Sequence, residues 1–108
     1  MELAFADIPL VGGWHPRLYP RAFIDGEQLP LESSHVLILE MLVSEPEYKP
    51  TAILAAAAGT RAQDQARFVV TRVRRLRRVL EPYGFKIFCR RAYGDFPWVG
   101  YRLFPQPR

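Results

Sequence analysis

Three features of the sequence predict a small α+β domain. First, Asp25-Gly26 lies between two short extended runs, Leu18 to Ile24 and Gln28 to Leu31, which is a tight-hairpin pattern. Second, three helical stretches follow between residues 33 and 81. Third, two strand-like runs, Phe85 to Arg91 and Trp98 to Phe104, flank a loop of six residues. The expected architecture is a small N-terminal antiparallel sheet, three helices and a C-terminal β-hairpin.

The 108 residues make one domain, with 49% hydrophobic residues to build its core. No apolar run approaches the ~18 residues of a membrane span. The start, Met1 to Asp7, carries acids where a signal peptide carries bases. The expected location is therefore the cytoplasm. One cysteine, Cys89, allows no internal disulfide, and with two histidines it makes no zinc site. The alternating run around Cys89 predicts a half-buried strand thiol.

Residues 1–16 are broken by Pro9, Gly12-Gly13 and Pro16 and are expected to form an N-terminal arm with a turn at the glycines. Trp14 is expected to pack on the domain surface, and His15 is held extended by Pro16. The domain itself spans 17–104, and 105–108 form a C-terminal tail. Pro20 and Pro30 confine their strands to edges or interrupt them. Ser33 or Ser34 suits the N-cap of the first helix, which runs to Ser44 and is apolar around much of its circumference. His35 reads as a surface or capping residue. Thr51 is the expected N-cap of the second helix, whose alanines run to Gly59 as the residue past its end. Asp64, or Thr60 slightly earlier, caps the third. That helix ends near Pro82-Tyr83-Gly84.

The third helix, 63–81, organises the functional reading. Val69, Val73, Leu76 and Leu80 are spaced i, i+4, i+7, i+11 and form one apolar stripe. Arg67, Thr71, Arg74, Arg75 and Arg78 lie on the far side, with Arg72 and Arg77 flanking them. No acid occurs between Asp64 and Glu81. Like charges at i, i+3 and i, i+4 repel, so a single-sign face points to an anionic partner, most often a phosphate backbone. The chain is also polarised. Residues 1–54 hold eight acids against three bases, and residues 55–108 hold three acids against twelve bases. One side of the domain thus suits a polyanion.

Two helices joined by a short glycine-containing turn, the second rich in arginine, form a helix-turn-helix arrangement, and a basic hairpin beyond it is a wing. Val73-Arg-Arg-Leu-Arg-Arg-Val-Leu-Glu-Pro82, followed by Gly100-Tyr-Arg-Leu103, resembles the V-x-x-L-R-x-K-L-E … G-Y-R-L pattern of the OmpR/PhoB-type winged helix-turn-helix DNA-binding domains. Leu29 to Leu42 resembles that family's strand-to-helix entry, and Leu54 to Gly59 its second helix. Together these cover about residues 17–104. The chain contains no receiver domain. Its hairpin loop is longer than the family's tight turn and holds Tyr93, Phe96, Pro97 and Trp98.

The resemblance implies a DNA-binding transcriptional regulator, with helix 63–81 in the major groove and hairpin 85–104 as the wing. It puts Thr71, Arg72 and Arg75 at groove-facing positions, and Arg67, Arg74 and Arg78 at or beside phosphate-contacting ones. Arg90 and Arg91 fall on the basic wing strand, where an arginine entering the minor groove is expected. Arg77 either joins this face or pairs with Glu81, and Arg102 is structural. The implied partners are double-stranded DNA, a second copy of the chain on tandem or inverted half-sites, and RNA polymerase at the Gly59–Asp64 turn. The alternative is a protein-interaction module whose anchors are Tyr93, Phe96 and Trp98. The competing reading of Trp98 is that it covers the base of the hairpin. No catalytic residue, metal site or cofactor is expected. His15, His35 and Cys89 fit no nucleophile–base or metal spacing, and Glu45 and Glu47 read as a solvated pair around a proline.

Overall fold

A computed structural model describes residues 2–9, 18–61, 63–94 and 98–107. The expected turn at Gly12-Gly13, Trp14, His15, Phe96 and the Asp95 end of the hairpin tip lie outside them. Among the described residues the chain forms three helices and two three-stranded antiparallel sheets.

The N-terminal sheet has the order β1 (Leu3–Pro9), β2 (Leu18–Ile24), β3 (Glu27–Gln28). Residues 3–9 of the expected arm thus form a strand of this sheet. β1 pairs with all of β2, from Leu3 opposite Ile24 to Pro9 opposite Leu18. The reason is period-two burial: Leu3 and Phe5 turn to the core while Ala4 and Ala6 face out. The β2–β3 turn has Asp25 at φ 50° and Gly26 at φ 84°, the double positive φ that matches the strand twist. Asp25 closes the sheet end, its N–H donating to the Glu2 carbonyl and its Oδ1 accepting from the Glu2 N–H. β2 is the middle strand despite Pro20. β3 reaches only Phe23 and Ile24, so at Pro20 the strand has one neighbour.

Helix α1 (Ser33–Ser44) buries Val36, Ile38, Leu39 and Leu42 and packs against β2, both other helices and the C-terminal sheet. Its N-cap is Glu32, one residue before the expected serines. The Glu32 N–H donates to Nδ1 of His35, so the imidazole takes the part that a glutamate or glutamine side chain plays at that position of a capping box. Helix α2 (Thr51–Ala57) has Pro50 as its N-cap in place of Thr51. The Thr51 hydroxyl instead donates to the Val99 carbonyl and fastens α2 to the C-terminal sheet. Gly59, at φ 69°, follows the end of α2. Helix α3 (Gln65–Leu80) is capped by Asp64, whose Oδ1 accepts from the Arg67 N–H at 3.0 Å. Its stripe of Val69, Val73, Leu76 and Leu80 is fully inside. A 3₁₀ turn over Glu81–Tyr83 and the left-handed Gly84 end it.

The C-terminal sheet has the order β4 (Lys49–Pro50), β6 (Trp98–Phe104), β5 (Lys86–Ala92). β4 is unexpected from the sequence: two residues that pair with Tyr101 and Gly100. Pairing buries Lys49, and its ammonium is met by Glu45 at 3.0 Å and Glu47 at 3.7 Å. The two carboxylates read as merely solvated are therefore the partners of a buried lysine. On β5 and β6, Ile87, Tyr101 and Leu103 point to the core. Cys89 is exposed and not half-buried, because β5 leaves the core after Ile87.

Candidate nucleic-acid interface

The basic face of α3 repeats the geometry of its core stripe. Arg67, Thr71, Arg74 and Arg78 have the same i, i+4, i+7, i+11 spacing as Val69, Val73, Leu76 and Leu80, displaced by two residues. At about 100° per residue that displacement puts them opposite the core. All four are exposed. The guanidinium groups of Arg67, Arg74 and Arg78 make no hydrogen bond or ion pair with the described residues. Thr71 Oγ1 donates to the Arg67 carbonyl at 2.9 Å, which leaves its oxygen free to accept. Every ion pair among the described residues involves Lys49, so none neutralises this face.

The flanking arginines are placed differently. Arg72 is half-buried: its guanidinium lies 3.6 Å from the centre of the Phe68 ring, and its Nε donates to Ser34 Oγ at 3.3 Å. One helical turn separates Phe68 from Arg72, so the ring and the guanidinium stack along the side of α3 that faces α1. Arg72 is thus drawn inward, away from the exposed face on which Thr71 and Arg75 lie. Arg75 stays exposed, with Nη2 donating to the Pro30 carbonyl at 3.2 Å. On the opposite flank, Arg77 donates from Nε and Nη2 to the Ile87 carbonyl at 3.1 and 2.9 Å. Arg77 is structural, but its partner is a β5 carbonyl and not Glu81.

A groove of about 700 Å³ runs between α3 and the segment from β3 to α1. Arg74, Arg75 and Arg78 line one wall, and Arg21, Glu32 and His35 line the other. Arg21 was not foreseen. It comes from β2 and is steadied by Ser33 Oγ at 3.4 Å and by the Tyr19 ring. No spacing in the sequence reveals that Arg21 shares a groove with α3. Burial is the main cause that lowers the His35 pKa from 6.5, opposed by Glu32 and aided by Arg72 and Arg75. The imidazole therefore stays neutral near pH 7 and keeps Nδ1 as an acceptor.

The hairpin divides its arginines. Neighbours on a strand face opposite ways, so Arg90 and Arg91 do not act together. Arg91 lies toward the helices, in a second groove of about 470 Å³ lined also by Gln65 and Ala66 at the start of α3. The neighbouring Cys89 and Tyr93 side chains push its pKa above the usual arginine value. Arg90 points to the outer face, 5.9 Å from the Tyr48 ring. Tyr93 is 83% exposed. Trp98 folds over Gly100, where a Cβ would collide with the indole, so it covers the sheet and its edge also borders the second groove. The third aromatic of the expected protein contact, Phe96, lies outside the described residues.

This arrangement offers an exposed guanidinium stripe on one helix, one further guanidinium, Arg21, across the groove beside it, and a cation on the adjoining hairpin. Such a surface binds anions spaced along an extended partner. Among the described residues no group of His, Cys, Asp and Glu could hold a metal ion, and no helix is long and apolar enough to cross a membrane. Compared with protein-family models, with curated proteins and with solved structures, the chain finds no match.

Proposed function

We propose that this protein is a sequence-specific, double-stranded-DNA-binding regulator of the winged helix-turn-helix kind, with α2 and α3 as the helix-turn-helix and β5–β6 as the wing. The observation that carries the reading is the stripe of Arg67, Thr71, Arg74 and Arg78, opposite the core and without an acidic partner among the described residues. A single helix fits a major groove about 12 Å wide, and arginine there reaches guanine edges or phosphates. Arg75 and Thr71 are the base-reading candidates. Arg67, Arg74 and Arg78, joined by Arg21, meet phosphates, and Arg91 is the wing's contact beside the start of α3. Arg72 positions the helix through Phe68 and Ser34. Arg90 turns to the other face.

One such domain buries only about 600–1,000 Å² on DNA, so two copies on paired half-sites give the affinity a regulator needs. The turn from Gly59 to Asp64, where Arg61 is exposed, is the surface for RNA polymerase. The test is selection from a randomised duplex pool followed by gel shift. The reading expects an enriched sequence that Arg75→Ala binds less selectively; a protein that retains no duplex even at low salt contradicts it.

Tyr93, with most of its ring in solvent, favours a second reading: a winged-helix module that docks on a protein of the transcription machinery. Salt separates the two. Duplex binding falls steeply between about 50 and 200 mM salt, whereas an aromatic-anchored contact does not.

A further inference from the structure

The outer face of the C-terminal sheet is not used by the duplex reading. Its side chains come from Lys86, Phe88, Arg90 and Ala92 on β5 and from Trp98, Gly100, Arg102 and Phe104 on β6. Phe88 is 45% exposed, Phe104 52% and Trp98 36%. The register sets a cation opposite both phenylalanines, and Ala92 opposite Trp98. Lys86 faces Phe104, Arg102 faces Phe88, and Arg90 faces Gly100, the residue that lies under the Trp98 indole. The Phe88 and Phe104 rings are 6.1 Å apart and tilted by 54°, so neither hides the face of the other. Neither strand contains an acid.

We propose that this face is a second nucleic-acid surface that takes a single strand, stacking bases on Phe88, Phe104 and Trp98 and holding the intervening phosphates on Lys86, Arg102 and Arg90. Alternating rings and cations are what a single strand presents partners for, since every base has a π-face and every linkage a charge. The pattern suits the other candidates less well. Self-association through this face would set its cations against their own copies. The centre of a protein–protein interface is depleted of charge, whereas here each aromatic has a cation beside it. The inference stands independently of duplex binding, because it uses no residue of α3.

The test is fluorescence anisotropy with a fluorescein-labelled twelve-nucleotide oligothymidylate, with a labelled duplex measured in parallel. The full chain should bind the single strand, and Phe88→Ala/Phe104→Ala should weaken it by about tenfold or more, at the stacking energies usual per base. Phe88→Tyr/Phe104→Tyr should restore it. Both phenylalanines are half in solvent, and an unchanged circular dichroism spectrum and melting temperature verify the fold. Arg74→Ala/Arg78→Ala should leave the oligothymidylate unaffected. No binding of the oligothymidylate by the full chain overturns the proposal, as does affinity unchanged in the double alanine variant. Equal loss in the Arg74/Arg78 variant also overturns it, by placing the strand on α3. Loss of duplex binding in that variant alone bears on the duplex reading and leaves this one intact.

Discussion

Arg77 clasps Ile87: Nε and Nη2 of one guanidinium converge on a single carbonyl, at 3.1 and 2.9 Å, and tie α3 to β5. In the most basic segment of the chain, one arginine is thus removed from the solvent-facing charge and made part of the scaffold. It also occupies a backbone acceptor on β5, the edge strand of its sheet. Arg77→Ala should destabilise the fold by about 1.5–3 kcal/mol, the range for hydrogen bonds to a charged group. Arg77→Lys should recover only part, because an ammonium cannot reproduce the fork. Urea unfolding measures both, and equal stability of wild type and Arg77→Ala would mean the clasp contributes nothing in solution.

Arg72 differs from its neighbours in a way that separates stability from binding. Its stack on Phe68 and its bond to Ser34 should make Arg72→Ala cost about 0.5–1 kcal/mol in thermal or denaturant unfolding. The same variant should leave the salt dependence of duplex binding as it is. A stable Arg72→Ala with a shallower salt dependence would return Arg72 to the phosphate-contacting group.

His35 gives the fold a pH dependence. Its native pKa lies below the unfolded value near 6.5, chiefly because the ring is partly buried. The unfolded chain therefore binds the proton more readily, and the stability linked to His35 is present above about pH 6.5 and lost as pH falls through that value toward the native pKa. Protonation also converts Nδ1 from acceptor to donor and breaks the bond from the Glu32 N–H. Wild type should lose stability between pH 7.5 and pH 5.5, on the order of the window around the reference value, more steeply than His35→Gln. Parallel pH profiles for the two proteins would remove His35 as the cause.

Lys49 is a buried charge with its two acids on the solvent side. Replacing it with methionine fills the same volume and leaves Glu45 and Glu47 free to hydrate. Lys49→Met should be neutral or stabilise by about 1 kcal/mol. A loss of more than about 2 kcal/mol in chemical denaturation would show that the pair contributes net stability.

The helices were legible because their signals are periodic. Val69, Val73, Leu76 and Leu80 fix which side of α3 is inside, and the same spacing shifted by two residues fixes the exposed stripe. Asp25-Gly26 likewise placed its turn through the positive φ it must adopt. β1 was obscured because Pro9 and the glycines after it read as breaks, while only Leu3 and Phe5 carry the alternation. β4 is too short to have a period at all. Within the candidate site, a signal for Arg72 existed in its i, i+4 relation to Phe68, but counting charge on a wheel ignores which side chains stack. Arg21 left no trace in the sequence, since its place across the groove from α3 depends on how β2 packs. Phe88 and Phe104 were recoverable from strand alternation, once Ile87 and Leu103 are taken as the inward pair.

On the proposed reading, Arg67, Arg74 and Arg78 meet the phosphates of a duplex backbone. Its most direct test is the slope of log affinity against log salt concentration for a duplex, measured on wild type and on Arg74→Ala/Arg78→Ala. Each phosphate contact contributes about 0.9 to that slope, so the double variant should bind more weakly and lower it by about 2. A folded double variant with the slope of wild type would contradict the claim.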